Sequence, residues 1–310
     1  MKKIKLFIFF QILFSYQLHD LAQSRDLIFS TINSTFDNSP LNVVEAGKLG
    51  AKSFLFIHGN GQSYHSWIKQ LSSDLRNDFH LVAFDLRGHG NSAKPSSVKS
   101  YNRACIWGED IQSIILKTKL TKPVLVGWSL GGLMVMHYVN CFGLKNISGI
   151  VMVSSRARLV SLTNVPSNKF AQKSQTYLQS SDFKKNILGA NMFTSLLTKK
   201  VLDDKTLELL ILSNLMVPPY VRKALRSPIL NEKLDEIKSY NFLLPQMVLP
   251  FKVVVGAEDA IRNTYDLADA YKRSLPGSDV TIYEGVGHSP FLEDPLRFND
   301  DMRKFIEKIF

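Results

Sequence analysis

Three positions of this 310-residue chain have the types and neighbours to do chemistry together: Ser129, one of the adjacent acids Glu258 and Asp259, and His288. A serine hydroxyl is a weak nucleophile and needs a base beside it. An imidazole can take its proton, and a carboxylate can hold that imidazole in one tautomer and stabilise it once charged. All three residues follow apolar, β-rich runs: Val124-Leu-Val126, Phe251-Lys-Val-Val-Val255 and Val280-Thr-Ile-Tyr283. Ligands of open parallel sheets bind beyond the carboxyl ends of the strands, so residues distant in sequence can converge there. The chemistry implied is acyl transfer, with His288 taking the Ser129 proton and returning it to the leaving group.

The serine sits in Gly127-Trp-Ser-Leu-Gly131, ahead of a segment with apolar residues at helical spacing (Leu133, Met134, Met136). G-x-S-x-G set between a strand and a helix is the context that gives this pattern meaning. A serine on so sharp a turn is strained, and its neighbours must lack side chains for the chain to reverse. Its Oγ then projects beside the positive end of the helix dipole, where the Leu130 N–H can meet a developing oxyanion. Alone, the pentapeptide fits equally well a glycine-rich turn whose serine caps the helix. A solitary histidine is more often a core residue. His288, with Gly287 before it and Ser289-Pro290 after it at a strand end, suits a constrained loop instead.

The elements that must position these residues alternate. Ser53-Phe-Leu-Phe-Ile57 and His80-Leu-Val-Ala-Phe84 are apolar on both faces, as central parallel strands are. Leu27 to Gly47 alternates loosely around a turn at Asp37–Pro40, which predicts a meander of edge strands. A helix is expected over Arg103–Lys117, a strand over Ile147–Val153, a helix over Tyr265–Ser274 and a closing helix from Pro295. Strands alternating with helices indicate an α/β parallel sheet. Between Arg156 and Pro250 the rhythm stops: there are several helical runs, no strand-like one, and breaks at Pro166, Pro218-Pro219 and Pro228. The expected organisation is a core in two parts, 25–155 and 251–310, with 156–250 inserted as a helical lid.

Five motifs in order are His58-Gly59, Asp85-Leu-Arg-Gly-His-Gly90, Gly127-Trp-Ser-Leu-Gly131, Gly256-Ala-Glu-Asp259 and Gly285-Val-Gly-His-Ser-Pro290. With them the chain, from about residue 40 on, resembles the α/β-hydrolase superfamily, specifically its members with a helical cap after the sixth strand. The resemblance implies a mostly parallel, doubly wound sheet and catalytic residues in the chain order Ser, Asp, His. It selects Asp259 as the acid over its neighbour Glu258, read as solvated. It implies a second oxyanion donor, the backbone N–H of Asn60 after the His-Gly pair. His58, Asp85, Arg87 and His89 become loop scaffolding.

Relatives that open epoxides or cleave carbon–halogen bonds carry Asp where this chain has Ser129, so the expected reaction is carboxylic-ester hydrolysis through an acyl-Ser129 intermediate. Hydrolysis of a carbon–carbon bond in a diketone, cofactor-free perhydrolysis and demethylation of carrier-protein-linked esters use the same three residues. A catalytically silent binding protein is the alternative from another class, though such proteins usually lack one of the three. Trp128 and Trp67 are candidate pocket walls and equally candidate core residues.

Hydrophobic content of 45% and a mean hydropathy of −0.03 are those of an ordinary globular protein. Of the net charge of +11, much falls between Arg156 and Pro250, where 14 Lys or Arg face 7 Asp or Glu. That excess suits an anionic substrate or partner, or lysines that simply solvate helical faces. No C-x-x-C or H-E-x-x-H occurs, so no metal or other cofactor is expected, nor a nucleic-acid partner; the substrate expected is a small acyl ester. Cys105 and Cys141 lie in helical, apolar segments and are expected to be buried free thiols. Lys2, Lys3 and Lys5, then Leu6–Phe14, then Ala22-Gln-Ser24 read as an export signal over residues 1–24. Its apolar run is too short to span a bilayer, so an exported protein with no remaining membrane span is expected. Retention of the segment as an anchor or as a first strand, in a membrane-anchored or cytoplasmic protein, is the alternative.

Overall fold

The computed structural model describes residues 27–160, 168–225 and 239–310, so the expected export signal lies outside the described residues. Its strands are β1 (Ile28–Asn33), β2 (Pro40–Gly47), β3 (Ser53–Ile57), β4 (His80–Phe84), β5 (Val124–Trp128), β6 (Gly149–Val153), β7 (Phe251–Gly256) and β8 (Asp279–Tyr283). They form one sheet in the order β1-β2-β4-β3-β5-β6-β7-β8. The β1–β2 and β2–β4 pairings are antiparallel and the others parallel. The runs that are apolar on both faces are the strands β3 to β7, buried end to end. The loosely alternating β1 lies at one edge with most of its residues exposed, as the sequence predicts.

The helices, in chain order, are the single turn α1 (Ile68–Leu71), α2 (Ala104–Lys117), α3 (Leu130–Phe142), α4 (Lys169–Leu178), α5 (Phe183–Thr194), α6 (Asp204–Leu215), α7 (Pro219–Leu225), α8 (Thr264–Ser274), α9 (Pro290–Glu293) and α10 (Pro295–Ile309). Two apolar clusters sit on the sheet. One gathers Ile111 and Ile114 of α2, Met134 and Tyr138 of α3, and Leu267 and Tyr271 of α8. The other gathers Leu71 of α1, Phe291 of α9, and Phe298, Met302 and Ile306 of α10. Helices on both faces of a mostly parallel sheet make this a doubly wound α/β fold, the architecture that the α/β-hydrolase resemblance implies. Helices α4 to α7 all fall between β6 and β7, and no strand interrupts them among the described residues. The starts of α4, α5 and α6 are chemically marked: Asn168, Asp182 and Asp203 each accept a hydrogen bond from a backbone N–H of the first turn. Among the described residues no helix is long and apolar enough to cross a membrane.

One expectation is corrected here. Cys105 and Cys141 are not free thiols; they form a disulfide that joins α2 to α3. Both do lie on helices, as expected, but which faces meet is set by helix packing. Gly108, nearly one turn after Cys105, lets the helices close up, because a Cβ there would lie 3.3 Å from the His137 carbonyl oxygen and 3.4 Å from Cys141 Cβ. Of the two roles open to Trp67 and Trp128, pocket wall or core, both side chains are fully buried in the apolar core. Trp67 stacks on Phe291 with ring centres 4.2 Å apart, and Trp128 meets the same ring edge-on at 5.0 Å.

Candidate active site

Ser129 connects β5 to α3 at φ 52° and ψ −111°, a conformation that is costly for a residue with a side chain. The turn is pinned on both sides. The Ser129 N–H donates to the Val153 carbonyl at 2.9 Å, and its own carbonyl accepts the Ser155 hydroxyl at 2.6 Å. Any side chain at position 131 would run into the Ile57 carbonyl of β3, and one at position 127 would come within 2.6 Å of Gly132. The glycines of the motif are therefore required by packing. Although Ser129 occupies the N-cap position of α3, its side chain makes no capping hydrogen bond, so the helix-cap reading of the pentapeptide does not hold. Ser129 and Leu130 are half-buried, in contrast to the fully buried run that precedes them.

Asp259 and His288 follow β7 and β8. The His288 Nδ1 and Asp259 Oδ2 lie 2.6 Å apart, and both side chains are only 1% exposed. The other Asp259 oxygen accepts the Ile261 and Arg262 N–H groups at 2.7 and 3.0 Å, which leaves the carboxylate no freedom to turn. With Nδ1 engaged, Nε2 is the ring atom open to a partner. Trp128, the residue before Ser129, donates its indole N–H to the His288 carbonyl at 2.9 Å. That bond brings the histidine loop against the serine turn. Glu258, the competing acid, points outward at 45% exposure and pairs with Lys199 at 3.0 Å.

On the β3 side, Asn60 is half-buried between buried neighbours. The register Ile57↔Gly127 puts the loop after β3 beside the serine turn. Gly61 adopts φ +71° and leaves no room for a side chain, since a Cβ would strike the Asn214 side chain and sit 3.2 Å from Arg222 Nη1. Arg222 is buried, and burial pulls its pKa down to about 10.

The remaining motif residues are braces. His58 bonds the Gly59 carbonyl through Nδ1 at 2.8 Å and accepts the Leu86 N–H on Nε2 at 3.0 Å. Asp85 accepts the N–H groups of Tyr64 (2.7 Å) and Asn91 (2.8 Å). Arg87 holds Asp110 through two bonds of 2.6 Å. Burial pushes the pKa values of His58 and His89 down. Among the described residues no group of three His, Cys, Asp or Glu side chains could hold a metal ion.

The model of the alpha/beta hydrolase family matches residues 54–301, the serine, acid and histidine loops included. The chain belongs to that family. It is 26% identical over 268 residues to a Mycoplasma pneumoniae protein provisionally assigned as an esterase/lipase, with 83% of this chain and 90% of that one covered. Among solved structures it is similar to a Burkholderia cenocepacia protein provisionally assigned as an aryl esterase, at TM-score 0.81 and 30% identity over 91% of this chain and 99% of that one. An esterase from Rhodococcus sp. ECU1013 shares the fold at TM-score 0.75 and 24% identity, with 91% and 99% of the two chains covered. This alpha/beta hydrolase is thus esterase-like.

Several residues around the site carry no sequence signal. Ser155, whose own carbonyl is held by the buried Tyr271 hydroxyl at 2.7 Å, braces the serine turn. Glu293 accepts backbone N–H groups on both sides of His288. A side chain that bonds main chain has no partner type to betray it, so neither residue stands out before the fold is known.

Proposed function

We propose that this alpha/beta hydrolase is a serine esterase in which Ser129 is the nucleophile, His288 the base and Asp259 the residue that orients the histidine. His288 Nε2 takes the Ser129 proton as Oγ attacks the ester carbonyl carbon. The N–H groups of Leu130 and Asn60 hold the oxyanion of the tetrahedral intermediate. Its collapse breaks the ester bond, and the alcohol leaves with the proton from His288. Water, deprotonated by His288, attacks the acyl-serine, and the acid departs as Ser129 recovers its proton. What carries this reading is the buried Asp259–His288 pair, bonded through Trp128 to the turn that holds Ser129 at positive φ. Turnover of short p-nitrophenyl esters by the wild type and by Ser129→Ala tests it: equal rates would remove it. A fluorophosphonate should label Ser129 in the wild type alone.

The insertion is proposed to act as a cap, because its residues meet rim loops on both sides: Lys199 pairs with Glu258, and Asn214 and Arg222 press on Gly61. The basic insertion favours a negatively charged ester, in which case kcat/KM for such a substrate should fall with added salt and that for a neutral one should not. Export is proposed on the N-terminal pattern together with the Cys105–Cys141 disulfide, a bond that persists in oxidising compartments. Sequencing the N-terminus of the protein recovered from a periplasmic or culture fraction checks this, and an intact Met1 in the cytosol would refute it.

A further inference from the structure

We infer that Glu293 is a positioning residue whose one carboxylate fixes the His288 loop and anchors the helical insertion to that loop. Glu293 closes α9 and is buried. Its Oε1 accepts the N–H of Gly287 at 3.0 Å and, more weakly, that of Ser289 at 3.4 Å. Its Oε2 accepts the N–H of Lys199 at 2.7 Å and of Lys200 at 2.9 Å, two residues of the segment between α5 and α6. The residues before and after His288 are therefore held by the same group that holds the insertion. The fit is close: a Cβ on Gly287 would lie 2.7 Å from the Lys199 nitrogen and 3.0 Å from the Thr198 carbonyl carbon.

The physical case is one of satisfaction and reach. Backbone N–H groups outside helices and strands need acceptors of their own, and the two oxygens of one carboxylate can serve several at once. The Lys199–Glu258 ion pair spans the same junction, but both groups are about half exposed, so it adds little. The His288 ring is set by Asp259 at Nδ1, its carbonyl by Trp128, and its flanking amides by Glu293. Catalytic efficiency is steeply sensitive to such placement, since an error of about 1 Å can cost about a hundredfold. The insertion is thus fastened at this corner to the loop that carries the base, and its seating and the histidine's aim are one variable.

The inference rests on His288 being the base, and the test separates the two ideas. Glu293→Gln keeps the shape but turns one acceptor oxygen into a donor facing the N–H groups. It should lower kcat about 10- to 100-fold with KM changed about threefold or less, and slow fluorophosphonate labelling of Ser129 in parallel. In a His288→Ala background it should cost no further activity, because Glu293 acts through the histidine. Amide hydrogen exchange at Lys199, Lys200 and Gly287 should speed up. Gly287→Ala, which keeps the carboxylate but wedges the junction open, should show the same pattern and serves if Glu293→Gln does not fold. Unchanged kcat, an equal loss in the His288→Ala background, or amides at Lys199 and Lys200 that stay protected would each overturn the proposal. If Ser129→Ala matched the wild type, the esterase reading would fall instead, and amide exchange alone would still decide the tether.

Discussion

The strand-end rim and the helical insertion are built under different constraints. At the rim, backbone geometry dictates residue identity one position at a time. Position 131 must lack a side chain because the Ile57 carbonyl fills that space, and position 129 must tolerate φ 52°. In α5 of the insertion the requirement is mostly periodic. Ala190 and Phe193 face inward while Phe183, Ile187 and Leu188 stay exposed, and Gly189 is the exception, since a Cβ there would lie 2.9 Å from the Leu178 nitrogen and the Ser174 carbonyl oxygen of α4. The rim is therefore readable residue by residue, the insertion mostly as a repeating pattern. Single changes should alter chemistry at the rim and small increments of stability in the insertion.

The sharpest way to break this contrast is to change a rim residue and find stability lost rather than rate. Ser129→Ala or His288→Ala should lower kcat about 10⁴-fold or more, with a melting temperature close to that of the wild type. Comparable activity in either variant would dissolve the distinction. The core can be probed next through the disulfide, which closes a loop of 36 residues. Cys105→Ser with Cys141→Ser should cost about 3–4 kcal/mol in denaturant unfolding, with kcat of the folded enzyme retained.

Acid offers a third test, at a residue that joins the two regions. His137 of α3 is bonded to the Tyr240 hydroxyl, and burial, reinforced by Arg158, pushes its pKa down to about 3 from an ordinary 6.5. An unfolded chain takes up that proton first. The stability contributed by burying the neutral ring is complete above pH 6.5 and drains away as the pH falls towards 3. His58 and His89, also lowered, act in the same direction. Urea midpoints should fall over that window, and His137→Gln should make the fall shallower. Last and smallest, Asp203→Ala removes the cap of α6, where the carboxylate accepts the Thr206 N–H at 2.9 Å and its hydroxyl at 2.8 Å. It should cost about 1 kcal/mol and leave kcat alone.

Most of the sheet was legible because strands buried on both faces must be apolar throughout, and β3 to β7 are. The serine turn was legible because few residue types tolerate its backbone, and the histidine because Gly287 before it and Ser289-Pro290 after it mark a constrained loop. Glu258 and Asp259 could not be told apart by type, and the chain's path past β7 separates them, turning one outward and the other onto His288. Trp67 and Trp128 were ambiguous for the same reason, since a large aromatic suits a pocket wall and a core equally well.

By itself, then, the order of residues determined the alternation of strand and helix, the family pattern that selects Asp259, and the serine and histidine with chemical potential, because the strands, the serine turn and the histidine loop are local demands on backbone or periodicity. Only the packed molecule decided that Cys105 meets Cys141, that Ser155 and Glu293 brace the turns, and that both tryptophans are buried. Those facts depend on which surfaces of distant segments touch. That is fixed by close packing in three dimensions, and it leaves no mark on the spacing of residues along the chain.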